Sequence, residues 1–448
     1  MDILKLGVLL LLSSMGILQV SLWYLNRDAS APILPRPHAA SALDRCSLAT
    51  QTITPLARTR HLLVSAFADR RVENFDVRLI GIFRRDSVQP LQCVFCCSGR
   101  SAQQGESPAL VLEHSDHFGF PYATTDILCR IPEGCETTAV TLVPVGQHLD
   151  TASTFLPIRN QESGSKAPGA AEPELNLTVC ISNLFGSYDN ILQFTQSLEM
   201  YRLLGVNRVV VYNTSSSPGL ARLLQSYSQE GLVEVVPWPI DRFLTPSTGW
   251  QPADGGELHY FGQLTTLNEC VYRNMRRSRF VLLHDIDEIM VPYQHDDLVA
   301  LLHALQQQHP QAGVFLIENH IFPKKHFEPS GRFHLPQWEG VPGVNILEHV
   351  YREEPDRKIY HPYKMIVQPR SVEQTSVHSV LKSFGEVVAV PPALCHIVHV
   401  RVALQGRLTL QQLHEDKRLW HFSQRLVPRV DRALRRAGLL RSEVTGAS

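Results

Sequence analysis

Between Leu175 and Leu283 the chain alternates short apolar runs with segments of helical period, and that alternation limits the fold more than any other feature. LTVCISNL (177–184) reads as a buried strand, after which Ile191, Phe194, Leu198 and Tyr201 recur at helical spacing until Gly205 stops the helix. RVVVY (208–212) is a β-branched strand. A helix from Gly219 to Tyr227, a strand from Leu232 to Val236 and a helix across Gln263 to Met275 lead to the apolar strand Phe280 to Leu283. Strands separated by helices predict an α/β domain with a parallel-rich sheet.

The fourth strand runs into FVLLHDIDEIM (280–290), so Asp285, Asp287 and Glu288 stand at its C-terminal end, where open α/β sheets bind ligands. Two carboxylates at i and i+2 can share a hard divalent cation that also holds diphosphate oxygens, because Mg²⁺ and Mn²⁺ take oxygen ligands and keep positions open for substrate. Taken alone, the pair reads equally well as an acidic turn. At the end of a strand in this alternation it predicts a metal and diphosphate site, with Glu288 orienting the pair or capping a following helix.

The 448 residues are 44% apolar and carry a net charge of −1, which excludes a disordered chain and gives no basic footprint for nucleic acid. Leu6 to Leu25 contains no charged residue and ends in Trp23, Tyr24 and Leu25. A span of about 20 such residues with an aromatic flank predicts an uncleaved, single-pass signal-anchor behind a short tail (1–5). Residues 26–45, rich in Pro, Ala and Ser, read as a stem.

Six of the nine cysteines (Cys46, Cys93, Cys96, Cys97, Cys129, Cys135) precede residue 136, a density that suits disulfides in an oxidising compartment. The Cys93 to Cys97 run could instead be half a zinc site, and the odd total leaves one thiol over. Asn176 and Asn213 open glycosylation sequons, meaningful for a luminal chain. Around these cysteines VRLIGIF (77–83), LQCVFC (91–96), ALVLEH (109–114), DILCRI (126–131) and AVTLVPV (139–145) predict a small Cys-rich β module over 46–158. A polar linker (159–174), the α/β domain (175–405) and a basic tail (406–448) with a helical stretch complete the expected order.

Four blocks carry a resemblance: CISNLFGSYDNILQFTQSLEMYRLLGVNRVVVYNTSSS (180–217), HDIDEIMVP (284–292), KMIVQPRSVEQTSVHSV (364–380) and HVR (399–401). In this order, over roughly residues 175 to 405, they resemble glycosyltransferase family 92. The chain differs in having Asn268-Glu269-Cys270 where the family has Asn-Asp-Cys, and His399-Val400-Arg401 where it often ends His-Tyr-Arg.

The resemblance implies a GT-A-type nucleotide-sugar-binding domain in a type II Golgi membrane enzyme with its catalytic domain in the lumen. It implies inverting transfer from UDP-galactose, with a divalent cation, usually Mn²⁺, to the galactose or core fucose of N-glycans. Asp285 and Asp287 would then hold the metal, with His378 as a downstream third ligand. Inversion requires a carboxylate that accepts the acceptor's proton, for which Glu318, ending GVFLIE (313–318), and Glu348 are alternatives.

Asn183, Gly186 and Asp189 follow the first strand, where base and ribose would be read; their local reading is turn chemistry. Lys364, Arg370 and Arg401 are candidates for diphosphate oxygens, against a default of solvated charge. Two other functions compete: a non-catalytic glycan-binding ectodomain on the same fold, and a metal-dependent hydrolase.

Overall fold

A computed structural model describes residues 46–98, 105–149, 153–161, 172–406 and 408–440. The expected anchor and stem lie outside these residues, as does 162–171 of the linker. Among the described residues no helix is long and apolar enough to cross a membrane. From Cys46 onward the chain forms one compact unit.

The Cys-rich module is a closed sheet. Its strands neighbour one another in the order Leu62–Ala68, Val77–Arg84, Tyr122–Cys129, Gly105–Glu113, Leu91–Ser98, Glu136–Pro144 and Leu156–Arg159, and the last pairs in parallel with the first at Ala66 and Ile158. Closure removes the exposed edges that an open sheet of this size would offer for aggregation. Disulfides Cys46–Cys96, Cys93–Cys129 and Cys97–Cys135 cross it, so the Cys93 to Cys97 run is a disulfide framework with none of its thiols left for zinc.

The second sheet belongs to the α/β domain. We label its strands β1 (Leu175–Leu184), β2 (Arg208–Asn213), β3 (Val233–Pro237), β4 (Ser278–His284), β5 (Glu288–Pro292), β6 (Ala312–Pro323), β7 (Tyr363–Val367) and β8 (Cys395–Arg401). The helices are α1 (Ile191–Leu203), α2 (Pro218–Gln229), α3 (Gln263–Asn274), α4 (Leu298–Gln308) and α5 (Ser423–Arg436). The strand order is β3-β2-β1-β4-β7-β6-β8-β5, with Glu386–Ala389 alongside β6. The parallel half, β3-β2-β1-β4, has the predicted strands. Beyond β4 the sheet is mixed: β7 runs antiparallel to both β4 and β6, and β5 antiparallel to β8.

The β4 run is apolar throughout because both its faces are covered. Phe280 and Leu282 enter one core with α1, α2 and α4, while Val281 and Leu283 enter another with α3. Local chemistry sets the helix starts: Ser217 Oγ accepts from the Leu220 amide ahead of α2, and Asp297 from the Ala300 amide ahead of α4. The basic tail supplies α5, whose Leu426, Val430, Ala433 and Leu434 are buried in the core shared with α1 and α2. The helix therefore docks on the domain.

Buried polar bonds weld the module to the domain. Arg78, fully buried, reaches Asp69 (3.0 Å) and Asp126 within the module and Glu373 (3.0 Å) in the domain. Glu269 on α3 accepts from Ser65 (2.8 Å) and Arg273 (2.8 Å), with Arg159 at 3.3 Å. The Glu269 departure from the family pattern thus serves the weld, where a longer side chain reaches across the boundary. The Cys180–Cys270 bridge ties β1 to the same helix, and Cys395 is the free, buried cysteine.

Removing Arg78 strands buried carboxylates, so Arg78→Met should cost about 3–5 kcal/mol of unfolding free energy in urea denaturation. Burial resists ionisation of Asp126, but the His114 and Arg78 charges outweigh it and draw the carboxyl from 3.8 down to about 2. A folded-state value below the unfolded one adds stability that is complete above the unfolded value and is lost as pH falls through the folded one. Wild-type stability should therefore fall between about pH 4 and pH 2, with Asp126 contributing on the order of 2 kcal/mol of that loss.

Candidate active site

The strand order reverses between β1 and β4, and Asp285 to Asp287 form the tight turn from the end of β4 into β5. A strand follows the acidic residues, so Glu288 caps no helix. Its carboxylate instead accepts from the Asp285 amide (2.8 Å) and the Asn319 side chain (2.8 Å), closing the turn. Tyr201 on α1 donates to the Glu288 carbonyl (2.7 Å), and His284 Nδ1 lies 2.8 Å from the Asp285 carbonyl. Every side of the turn is held by a buried partner.

Lys364 is the second residue of β7 and, because β7 runs antiparallel to β4, meets the C-terminal end of β4. Its ammonium is buried, 2.9 Å from Asp285 Oδ2 and 3.8 Å from Glu288. Gln263, at the start of α3, donates to the other Asp285 oxygen (2.8 Å). Burial opposes ionisation of Asp285, yet the Lys364 charge and hydrogen bond overcome it and hold the carboxyl below the usual range. Asp287 is also held down: burial is outweighed by His399, whose Nε2 lies 3.2 Å away. His399 is correspondingly raised, the Asp287 charge overcoming burial, while burial and the Asp285 charge push Glu288 up. The two outer carboxylates are thus kept ionised and the inner one is the first to take a proton.

His378 follows the short strand Val372–Thr375. Its Nδ1 lies 2.8 Å from the Tyr363 carbonyl, so that nitrogen carries the hydrogen and the Nε2 lone pair is free. Burial first, then the Lys364 charge, lower the imidazole to about 3, and Asp285 acts on it in the opposite sense. A neutral imidazole with its far nitrogen free is the form that binds metal. Among the described residues no group of three or more His, Cys, Asp or Glu is gathered tightly enough to enclose an ion.

The other candidates separate. Arg401, ending β8, acts electrostatically on Asp287 and Tyr260. Gly186, at φ +63°, and exposed Asp189 lie on the loop after β1. In the same loop burial, then the Asp287 charge, push the Tyr188 phenol up. Arg370 lies past the opposite end of β7, where its Nε donates to the Met275 carbonyl (3.1 Å); the antiparallel direction of β7 takes it away from the cluster. Glu318 projects to the other face of β6 from Asn319 and is bound by Arg357 (2.7 Å) with His320 at 3.3 Å. Glu348 sits in the turn Ile346–Glu348, with His334 at 3.1 Å.

Asn183 has a task of its own. Its amide donates to the carbonyls of Tyr260 (3.0 Å) and Phe261 (2.9 Å) and accepts from Thr266 (2.9 Å). Tyr260, Phe261 and Gly262 are three successive left-handed residues (φ 40°, 55° and 77°), a strained run that leads into α3 and Gln263. Phe185 stacks on Phe261 (4.2 Å), and Trp250 stacks on His378 (5.7 Å). The module reaches the same rim: Phe118 stacks on His259 (4.1 Å), and Asp116 accepts from Ser376, two residues before His378.

Residues 176–433 match the model of glycosyltransferase family 92, more than half of the chain, and the chain belongs to that family. It is 24% identical over 233 residues to a glycosyltransferase family 92 protein of Caenorhabditis elegans, covering 52% of this chain and 43% of the relative. It is 21% identical over 182 residues to the beta-1,4-galactosyltransferase galt-1 of the same organism, covering 40% of each. The matches therefore span about two fifths of each relative's length.

Among solved structures, Staphylococcus aureus TarS with UDP-GlcNAc aligns at 12% identity and a TM-score of 0.29, over 52% of this chain and 62% of that one. The Pyrobaculum calidifontis mannosyltransferase PcManGT with GDP-Man and Mn²⁺ aligns at 14% and 0.27, over 62% and 80%.

Asn183→Ala removes three hydrogen bonds and frees a strained turn, so it should lower unfolding free energy by on the order of 2–3 kcal/mol in chemical denaturation. An unchanged transition would contradict the supporting role given to Asn183.

Proposed function

We propose that this family 92 chain is an inverting galactosyltransferase of GT-A type. It takes galactose from UDP-galactose and transfers it to a galactose or fucose of N-linked glycans. The observation that carries the reading is the Asp285 and Asp287 pair, half-buried, held ionised and fixed at the reversal of the strand order, with His378 acting electrostatically on Asp285. Such carboxylates suit a divalent cation that shares diphosphate oxygens, and that position in an α/β sheet suits a nucleotide.

Asp285, Asp287 and His378 would hold the cation, Mn²⁺ in the family's usual choice. When bound, it supplies positive charge to the departing diphosphate. Lys364 keeps Asp285 ionised and aimed, and His399 does the same for Asp287. Arg401 adds a second positive group at the site, where a diphosphate would gain charge-assisted hydrogen bonds. The galactose donor and N-glycan acceptor rest on family membership and on the named activity of the galt-1 relative.

We further propose a type II arrangement in the Golgi membrane, with residues 6–25 as the single span. The apolar segment supports it, as do four disulfides formed in the unit that follows. In a luminal chain Asn176, exposed at the start of β1, is open to glycosylation, whereas half-buried Asn213 donates to Ser216 (3.3 Å). Peptide mapping of the secreted protein should find glycan at Asn176 and little at Asn213.

The direct test is donor turnover with Mn²⁺ and a panel of UDP-sugars, with and without galactose- and fucose-terminated N-glycans. Metal-dependent release of UDP from UDP-galactose, rising with acceptor, is the expected result. Asp287→Ala should lower it at least about 100-fold by removing a metal ligand. A folded protein that binds such glycans but turns over no donor would instead be a glycan-binding ectodomain.

A further inference from the structure

Asn319 and His399 mark the face of the sheet that carries the site, through their contacts with Glu288 and Asp287. The adjoining position along β6 is filled by the end of another segment: the Glu353 amide donates to the Ile321 carbonyl (2.7 Å), and Ile321 pairs with His399. Arg352, one residue earlier, turns to the opposite face, where Nη1 lies 2.9 Å from His320 Nδ1. Glu353, the residue after the short strand Tyr351–Arg352, lies within the electrostatic reach of Arg401 at the end of β8 and of Lys325 just past β6.

Glu353 is 0% exposed, and neither carboxylate oxygen has a well-formed hydrogen bond. The Tyr360 hydroxyl nearby is buried and unpartnered too. Buried polar atoms are nearly always paired in folded proteins, so an orphaned carboxylate beside an orphaned phenol calls for a partner.

We propose that Glu353 is the acceptor-side base of the transfer reaction, a role that rests on the transferase reading. The acceptor hydroxyl supplies the partner that the Glu353 carboxylate lacks, and the carboxylate accepts its proton. The freed oxygen electron pair forms the new bond to the anomeric carbon, the bond from that carbon to the phosphate oxygen breaks, and UDP leaves with the electrons. Glu353 becomes a neutral carboxylic acid, and the charge balance closes on the departing diphosphate.

Neither earlier candidate fits as well. Glu318 is bound by Arg357 on the other face, and Glu348 faces His334. The groups around Glu353 suit a base: burial pushes its carboxyl up, while the Lys325 and Arg401 charges oppose that and keep it ionisable. Arg401 favours ionisation of both Asp287 and Glu353, so one guanidinium stands in the fields of the donor and acceptor carboxylates.

The test compares Glu353→Gln, Glu353→Asp and Glu318→Gln in the purified full-length chain with UDP-galactose, Mn²⁺ and an N-glycan acceptor. Glu353→Gln should lower kcat about 100-fold or more, leave UDP binding within a factor of two, and remove the acidic limb of the kcat profile. It should also be at least as stable as wild type, because it neutralises an unpaired buried carboxylate. Glu353→Asp should keep partial activity together with the acidic limb.

If Glu353→Gln transfers within about threefold of wild type, or Glu318→Gln alone removes the acidic limb, the assignment to Glu353 is overturned and the transferase reading stands. If the wild-type chain turns over no donor, the transferase reading falls and takes the assignment with it.

Discussion

The buried ammonium of Lys364 is the interaction on which the site depends. Asp285 and Glu288 stand within three residues of each other in a half-buried turn, where like charges at that spacing compete for ionisation. Lys364, 2.9 Å from Asp285, settles the competition in its favour and leaves Glu288 to brace the turn through the Asp285 amide. His399 repeats the device for Asp287. The outcome is two ionised carboxylates with fixed orientation and little reorganisation left for binding, which is what an electrostatic site requires.

The closed β module belongs to this arrangement structurally. Arg78 and Gln374 clamp it to the strand preceding His378, and Asp116 holds Ser376 within the same loop. From the opposite side, Cys180–Cys270 and Glu269 fix α3, whose first residue, Gln263, holds Asp285. The metal-ligand candidates are therefore positioned by contacts that cross from one sheet system to the other. Loss of the weld should reach the active site as well as global stability.

The parallel half of the sheet was legible because each of its strands is a continuous apolar run and each helix keeps its period. The antiparallel half was not: β7 and β8 pair with β6 across long irregular stretches, and pairing at such distance leaves no local pattern. β6 itself was read only as 313–318, since its apolar run ends at Ile317, yet the strand continues to Pro323 and delivers Asn319 to the site. Asp285, Asp287 and His378 could be named from strand position and the family blocks. His399 stood inside the quoted HVR block without a role, because a lone histidine carries no signature until its partner is known. Gln263, Asn319 and Glu353 had none either. Arg370 was named with Lys364 as a partner for diphosphate oxygens, although the direction of β7 sends the two to opposite ends.

Calorimetric titration of UDP into the purified chain, with Mn²⁺ present and then removed by chelation, tests the central claim most directly. If the Asp285 and Asp287 pair is a metal and diphosphate site, UDP binds with the metal and loses at least about tenfold in affinity without it. UDP binding of equal strength in both conditions, or none from folded protein, would contradict the account.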